Sequence, residues 1–187
     1  MLIPIALVLL VLVGGLLAYA ATRPATMRVQ RTTTIAAPPD IIFPLINDFH
    51  AWTAWSPYEN RDPGIAKTYK GPAQGPGAVY EWRGNRQVGE GRMEIASVSS
   101  PSRITIDLRF VKPFACKNIA TFTLVPDGGA TIVSWIMEGP IAFIPKLMGI
   151  FMSMDNMVGR DFAIGLENLK ALAERTATMP VTMRAAR

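Results

Sequence analysis

The sequence has few of the side chains on which most catalytic and metal centres are built. It contains one histidine, His50, and one cysteine, Cys116, in 187 residues. One cysteine excludes an internal disulfide and cannot make a structural zinc site by itself. The two residues are far apart in the sequence, which favours a helix-surface histidine and an inert buried thiol over a base and its nucleophile. No group of His, Cys, Asp and Glu has metal-ligand spacing, so we expect no metal and no cofactor.

Internal repeats and low-complexity tracts are also missing, and the remaining motifs favour structural roles. Residues 75–77 (GPG) are glycine-rich, but a strand follows them instead of the helix that a phosphate-binding loop requires. Two carboxylates, Glu81 and Glu90, flank one hairpin and could serve as acid and base. Strand alternation places both on the outer face opposite Arg83 and Arg92, where cross-strand ion pairs are expected. We therefore predict no catalytic residue and lean towards a protein that is not an enzyme.

The positive charge of the chain is concentrated at its ends. The formal net charge is +5, but residues 32–174 hold thirteen of the basic residues and all fourteen acidic ones, a net charge of −1. This distribution argues against a nucleic-acid partner, and the basic ends suit an anionic membrane surface. For the carboxyl end, the simpler interpretation is a solvated, disordered tail over residues 175–187. The excess arginines are Arg23, Arg28 and Arg31 near the amino end, and Arg175, Arg184 and Arg187 in the tail.

An apolar run over residues 2–21 predicts a membrane anchor. Twenty helical residues reach about 30 Å, the thickness of a hydrocarbon core. The basic residues follow the run, so the domain is expected to face the cytoplasm in a single-pass membrane protein. The alternative is export after cleavage of a signal peptide, because residues 18–20 (AYA) have the small-x-small pattern. The expected organisation is an anchor at 1–22, a linker at 23–26 and one domain at 27–174.

Patterns within the domain predict an α+β fold. A β-branched strand over residues 27–35 precedes two short helices, at 40–46 and from Asp48 to Trp55. From Lys67 onward, strands alternate with turn signals, which is typical of an antiparallel sheet. Apolar residues at Met154, Val158, Phe162, Leu166, Leu169 and Leu172 then draw one stripe along a long helix. Ahead of it, residues 141–154 are almost wholly apolar and are expected to be buried or interfacial. We predict a curved antiparallel sheet of about seven strands wrapped on this carboxyl-terminal helix.

The order of these elements resembles the START-like, or Bet v 1-like, superfamily with its helix-grip fold, and specifically the bacterial polyketide cyclase/dehydrase-like group. The resemblance covers residues 27–174, and the added amino-terminal run is outside it. Its motifs are residues 35–39 (IAAPP), 47–49 (NDF) with Trp52, Trp55, Ser56 and Pro57, residues 77–82 (GAVYEW) and 89–93 (GEGRM), Trp135, and residues 158–162 (VGRDF).

The resemblance implies a cavity between sheet and helix that holds a lipid or another hydrophobic small molecule. Five of the ten methionines lie between residues 137 and 157, which suits either an adaptable ligand surface or an ordinary core. Gly159 and Gly165 lie within the long helix, where close packing or space for a ligand would explain them. The residues expected to line the cavity are Trp55, Tyr80, Trp82, Met93, Phe110, Phe122, Trp135, Met137, Met152, Val158, Gly159 and Phe162.

Two other functions stay open. The family label implies a cyclase or dehydratase acting on a polyketide-like substrate, for which Arg31 and Tyr80 are the nearest polar candidates inside the cavity. We expect neither to have an ionisable partner within hydrogen-bond reach, and a carboxylate on either one would favour the enzyme. The third function is a protein-interaction module at the membrane, with a filled core.

Overall fold

The computed structural model describes residues 2–22, 24–59, 61–113, 115–141, 146 and 154–179. Its elements, in chain order, are α1 (Leu2–Thr22), β1 (Thr26–Ile35), α2 (Pro39–Asn47), a 3₁₀ turn (Ala51–Ala54), β2 (Ala66–Lys70), β3 (Val79–Arg83), β4 (Glu90–Ser99), β5 (Arg103–Lys112), β6 (Cys116–Asp127), β7 (Ala130–Pro140) and α3 (Met154–Thr178).

Seven strands form one antiparallel sheet in the order β1-β7-β6-β5-β4-β3-β2. Neighbours in sequence pair as hairpins from β2 to β7, and β1 closes on β7 at the far edge. Strands β4 to β7 alternate over most of their length between a buried face and a more exposed face, as the sequence pattern predicts. The predicted ion pairs of the outer face are present, with Arg83 opposite Glu90 and Arg92 opposite Glu81. The expected α+β helix-grip architecture is therefore confirmed.

The long helix α3 covers part of the inner face of the sheet. It packs chiefly along β1 and makes smaller contacts with α2 and β7. Phe162, Leu166 and Leu169 of the predicted stripe are buried, whereas the polar residues between them are exposed. The helix ends at Thr178, beyond the predicted domain boundary at residue 174. The apolar segment 141–154 lies outside the described residues apart from Ile141, Lys146 and the helical residue Met154.

The prediction of a membrane anchor is wrong. Residues Leu2–Thr22 do form a helix. Among the described residues, however, no helix combines the length and apolarity that crossing a membrane requires. A span needs about 20 consecutive, mainly apolar residues. Two further predictions depend on the anchor and are therefore wrong as well. They are the single-pass membrane localisation, with the domain facing the cytoplasm, and the membrane contact through this helix.

Candidate ligand-binding site

Aromatic rings on the inner side of the sheet form two groups, and the buried Phe49 links them, with ring centroids 5.5 Å from Trp52 and 6.1 Å from Tyr80. The first, here called the aromatic cluster, consists of Trp52, Trp55, Phe122, Trp135 and Phe162. The rings of Trp135 and Phe162 are stacked with centroids 3.9 Å apart and planes 7° from parallel. Phe122 stacks on the other side at 4.8 Å. Because these rings fill the space between sheet and α3, four predicted lining residues, Trp55, Phe122, Trp135 and Phe162, lie in a closely packed core.

The second group, here called the aromatic strip, consists of Tyr69, Tyr80, Trp82 and Phe110. Its rings follow one another with centroid separations of 5.3, 5.9 and 5.8 Å. The strip crosses from β2 and β3 to β5, on the half of the sheet away from β1. A Cβ at Gly91 of β4 would lie 2.4 Å from the Trp82 ring, so this glycine makes room for the indole. Trp82 Nε1 donates to the carbonyl of Val88 at 3.2 Å, which fixes the orientation of the ring.

The remaining predicted lining residues have different surroundings. Met93 and Met137 are buried on the inner face, and Val158 is half-buried on α3. Met152 lies outside the described residues. Gly159 is buried, and a Cβ there would lie 1.9 Å from Nη2 of Arg31. The space that Gly159 leaves is therefore occupied by a guanidinium group.

Arg31 projects from the inner face of β1, opposite Trp135, towards the first turn of α3. Its Nη1 donates to Oδ1 of Asp155 at 3.0 Å, and its Nη2 donates to Oδ2 at 3.1 Å. These hydrogen bonds hold the pKa of Asp155 below its ordinary value. Arg31 is thus engaged at the amino end of α3, and the expectation that it would have no ionisable partner is wrong.

A polar trio lies beside the strip at the open edge of the sheet. It consists of Glu59, from the loop before β2, with Lys67 of β2 and Tyr80 of β3. Lys67 Nζ donates to Oε2 of Glu59, and the Tyr80 hydroxyl donates to Oε1 at 3.2 Å. The Glu59 side chain is only 10% exposed. Burial raises the pKa of Tyr80, and the charge of Glu59 raises it further, so the phenol keeps its proton. The expectation of an unpaired Tyr80 is also wrong.

The loop that carries Glu59 is fastened to α3 by a second ion pair. Arg61 Nη2 donates to Oδ1 of Asp161, whose side chain is almost fully buried. Tyr58 lies beside this pair, and burial, followed by the charge of Asp161, raises its pKa. Asp62 accepts hydrogen bonds from the backbone amides of Gly64 and Asn85, which ties the loop to the β3–β4 turn. These contacts set the position of Glu59 relative to the strip.

Two concave regions are present; the smaller borders the strip, whereas no residue of the strip lines the larger one. The larger, of about 740 Å³, lies where β1 begins and β7 ends, and the smaller, of about 270 Å³, lies beside Tyr69. Leu108, two residues from Phe110 on the same strand face, lines the larger one. His50 lines the smaller one, where its ring stacks on Tyr69 at 4.0 Å and its Nδ1 lies 2.9 Å from Oδ1 of Asp48.

Among the described residues, the lone cysteine and the acidic residues do not indicate a thiol nucleophile or a metal site. Burial raises the pKa of the Cys116 thiol, which disfavours the thiolate and agrees with an inert residue. Within the described ranges, no three or more His, Cys, Asp and Glu side chains are grouped as a metal site would need. The chemistry available at the strip is therefore apolar contact, hydrogen bonding by Tyr80, and the paired charges of Glu59 and Lys67.

The model of one protein family, described as polyketide cyclase / dehydrase and lipid transport, matches residues 26–174. The chain belongs to this family. The description of the family names polyketide cyclases, dehydrases and lipid transport. The predicted resemblance is thus confirmed for the domain, without the membrane anchor.

Solved structures of the same fold come from bacteria and plants. A protein of Chromobacterium violaceum is 21% identical, with a TM-score of 0.57 over 81% of this chain and 99% of its own. A protein of Thermobifida fusca is 22% identical, with a TM-score of 0.58 over 79% and 93% of the two chains. The major latex-like protein 151 of Panax ginseng is 12% identical, with a TM-score of 0.58 over 80% and 99%. At these identities the likeness concerns the fold alone. The chain has no significant match among curated proteins.

Sequence reasoning missed three members of the site, Glu59, Lys67 and Tyr69. Lys67 and Tyr69 lie two residues apart on one face of β2, where they pair with Trp82 and Tyr80 of β3. A prediction of the pairing register between β2 and β3 would therefore have placed both residues on the inner face. Glu59 lies in a loop without periodicity. The Glu59 side chain points inward because it contacts Lys67 and Tyr80. No local sequence pattern predicts these contacts.

Proposed function

We propose that this member of the family binds a hydrophobic small molecule, such as a lipid, against the aromatic strip. The observation that carries the proposal is the unbroken contact of four aromatic rings on the half of the sheet away from β1, along which α3 chiefly packs. Rings that serve only to close the core are expected under the long helix, where the aromatic cluster lies. The strip extends the same apolar core towards the open edge of the sheet with a fixed geometry, which suits a ligand.

The surroundings of the strip suit a small apolar ligand. Ligand pockets commonly enclose roughly 300–1,000 Å³, and the region of about 270 Å³ beside Tyr69 is close to the lower end of this range. Met93 and Met137, which lie on the same inner face, are flexible and polarizable and can adjust to different apolar shapes. In this proposal, the predicted lining residues of the strip, Tyr80, Trp82 and Phe110, contact the ligand, whereas those of the aromatic cluster support the fold.

A fluorescence titration of the full-length chain tests this function. N-phenyl-1-naphthylamine, an uncharged apolar probe that brightens when it leaves water, should bind and should be displaced by 1-decanol. Trp82→Ala should weaken probe binding about two- to tenfold, because an aromatic contact contributes roughly 0.5 to 1.5 kcal/mol. Val125→Ala, on the exposed outer side of β6, is the control and should bind as the parent does. A parent chain that binds neither the probe nor decanol would refute the proposal.

The second candidate is a cyclase or dehydratase on a polyketide-like substrate. It is favoured by the Tyr80 hydroxyl, which keeps its proton, is bonded to Glu59 and could donate to a developing oxyanion. The two functions differ in what Tyr80→Phe changes. An enzyme would lose cyclisation of a linear poly-β-ketone while keeping probe affinity. A binding protein has no turnover to lose, and its affinity for the apolar probe should change little.

A further inference from the structure

The charges of the polar trio cancel before any ligand arrives. Glu59 contributes one negative charge and Lys67 one positive charge, and the two are in direct contact. Their side chains are 10% and 26% exposed, so water screens them only in part. Tyr80 is neutral and directs its proton at Glu59. A ligand that reaches the strip therefore meets a polar group with no net charge, whose carboxylate is already neutralised.

This arrangement discriminates among the polar ends of amphiphiles. An ionised carboxylate placed beside the Tyr80 hydroxyl would lie close to the Glu59 carboxylate, and the only nearby cation of the trio is already paired. A hydroxyl group meets no such repulsion. It can donate to a remaining lone pair of Glu59 or of the Tyr80 oxygen and can accept from a spare N–H of Lys67.

We propose that the trio of Glu59, Lys67 and Tyr80 makes this site selective for uncharged, hydroxyl-bearing amphiphiles over ionised fatty acids. The inference rests on the proposed function, since it assigns the polar end of a ligand whose apolar part lies on the aromatic strip. The trio is in contact with the strip because Tyr80 belongs to both. Lys67 is also the direct cross-strand partner of Trp82, which places its ammonium group at the same end.

The experiment compares 1-decanol with decanoate on the full-length chain at about pH 8, where a carboxylic acid of ordinary pKa near 4 is ionised. Each displaces N-phenyl-1-naphthylamine, and the readout is the ratio of the decanoate Kd to the decanol Kd. An ionised chain binds any apolar site less well, so the test is the change in this ratio between variants. Glu59→Gln removes the repelling carboxylate and leaves Lys67 unpaired. The ratio should then fall by about tenfold or more.

The matched control is Glu94→Gln, which removes a carboxylate from the outer face of β4, where Glu94 pairs with Arg92. Its ratio should equal that of the parent. The complementary variant Lys67→Gln removes the cation and should raise the ratio of the decanoate Kd to the decanol Kd. The selectivity can therefore still be tested if Glu59→Gln does not fold. A ratio that Glu59→Gln and Lys67→Gln leave unchanged, in a chain that still binds the probe, overturns the selectivity and leaves the proposed function standing. A parent that binds no probe overturns both.

Discussion

Two glycines of α3 bring side chains against the helix backbone, and the nature of those side chains decides what each glycine contributes. A Cβ at Gly165 would lie 2.9 Å from the Trp135 ring and 3.1 Å from Cδ of Pro57, both of which are held in place. A Cβ at Gly159 would meet the far end of Arg31, which can swing into solvent. The two positions look alike in the sequence because both are simply glycines in a helix.

The pair of variants Gly165→Ala and Gly159→Ala tests this difference. At Gly165 we expect a loss of about 1 to 2 kcal/mol in the free energy of unfolding, because overpacking against Trp135 exceeds the gain of roughly 1 kcal/mol in helix propensity. At Gly159 the movement of Arg31 offsets the same gain, and stability should change by less than about 1 kcal/mol. Urea unfolding followed by tryptophan fluorescence measures both. A larger loss at Gly159 than at Gly165 would contradict this assignment.

At the scale of elements, the loop between the 3₁₀ turn and β2 depends on α3 for its position. The ion pair between Arg61 and Asp161 holds the loop to α3, and its two partners differ in burial. The side chain of Asp161 is 8% exposed, whereas that of Arg61 is 37% exposed. Loss of the arginine leaves a buried carboxylate without its cation. Loss of the aspartate leaves an arginine that can turn to water.

We therefore expect Arg61→Ala to destabilise the protein more than Asp161→Ala does. The exposure of Arg61 reduces the effect from that of a fully buried pair, so the loss for Arg61→Ala should be about 1 to 3 kcal/mol and the loss for Asp161→Ala smaller. Chemical unfolding of the two variants beside the parent provides the comparison. Equal losses, or a larger loss for Asp161→Ala, would show that the loop is held in another way.

The elements differ in how far the sequence predicts them. In β5, the alternation of Ile104, Ile106 and Leu108 with polar residues assigns the inner face directly, and the structure agrees. The buried face of α3 is predicted correctly from its apolar stripe for the same reason, because one face of a regular element meets one environment. The loop of Glu59 has no period, so the partners of its carboxylate depend on how β2, β3 and α3 come together. The apolar run of α1 predicts a helix correctly, but the anchor inferred from it is wrong.

At the scale of the whole molecule, the inner side of the sheet has two neighbouring aromatic regions, to which we propose different tasks. The aromatic cluster joins the sheet to α3 and the 3₁₀ turn, and its stacked rings leave little room for another molecule. The aromatic strip lies on the other half of the sheet, with a polar trio at its edge. Family membership fits either ligand binding or cyclase chemistry, and we propose that either one would use the strip and Tyr80.

The central claim, that a ligand contacts the strip and leaves the cluster alone, is tested most directly through the four tryptophan indole N–H signals. In a ¹H–¹⁵N spectrum of the full-length chain, each indole gives one resonance, and Trp82→Phe identifies the signal of Trp82. Addition of 1-decanol should shift the Trp82 signal, whose N–H is bonded to Val88, and leave those of Trp52, Trp55 and Trp135 nearly unchanged. Shifts confined to Trp52, Trp55 and Trp135, with Trp82 unmoved, would contradict the account and place the ligand between the sheet and α3.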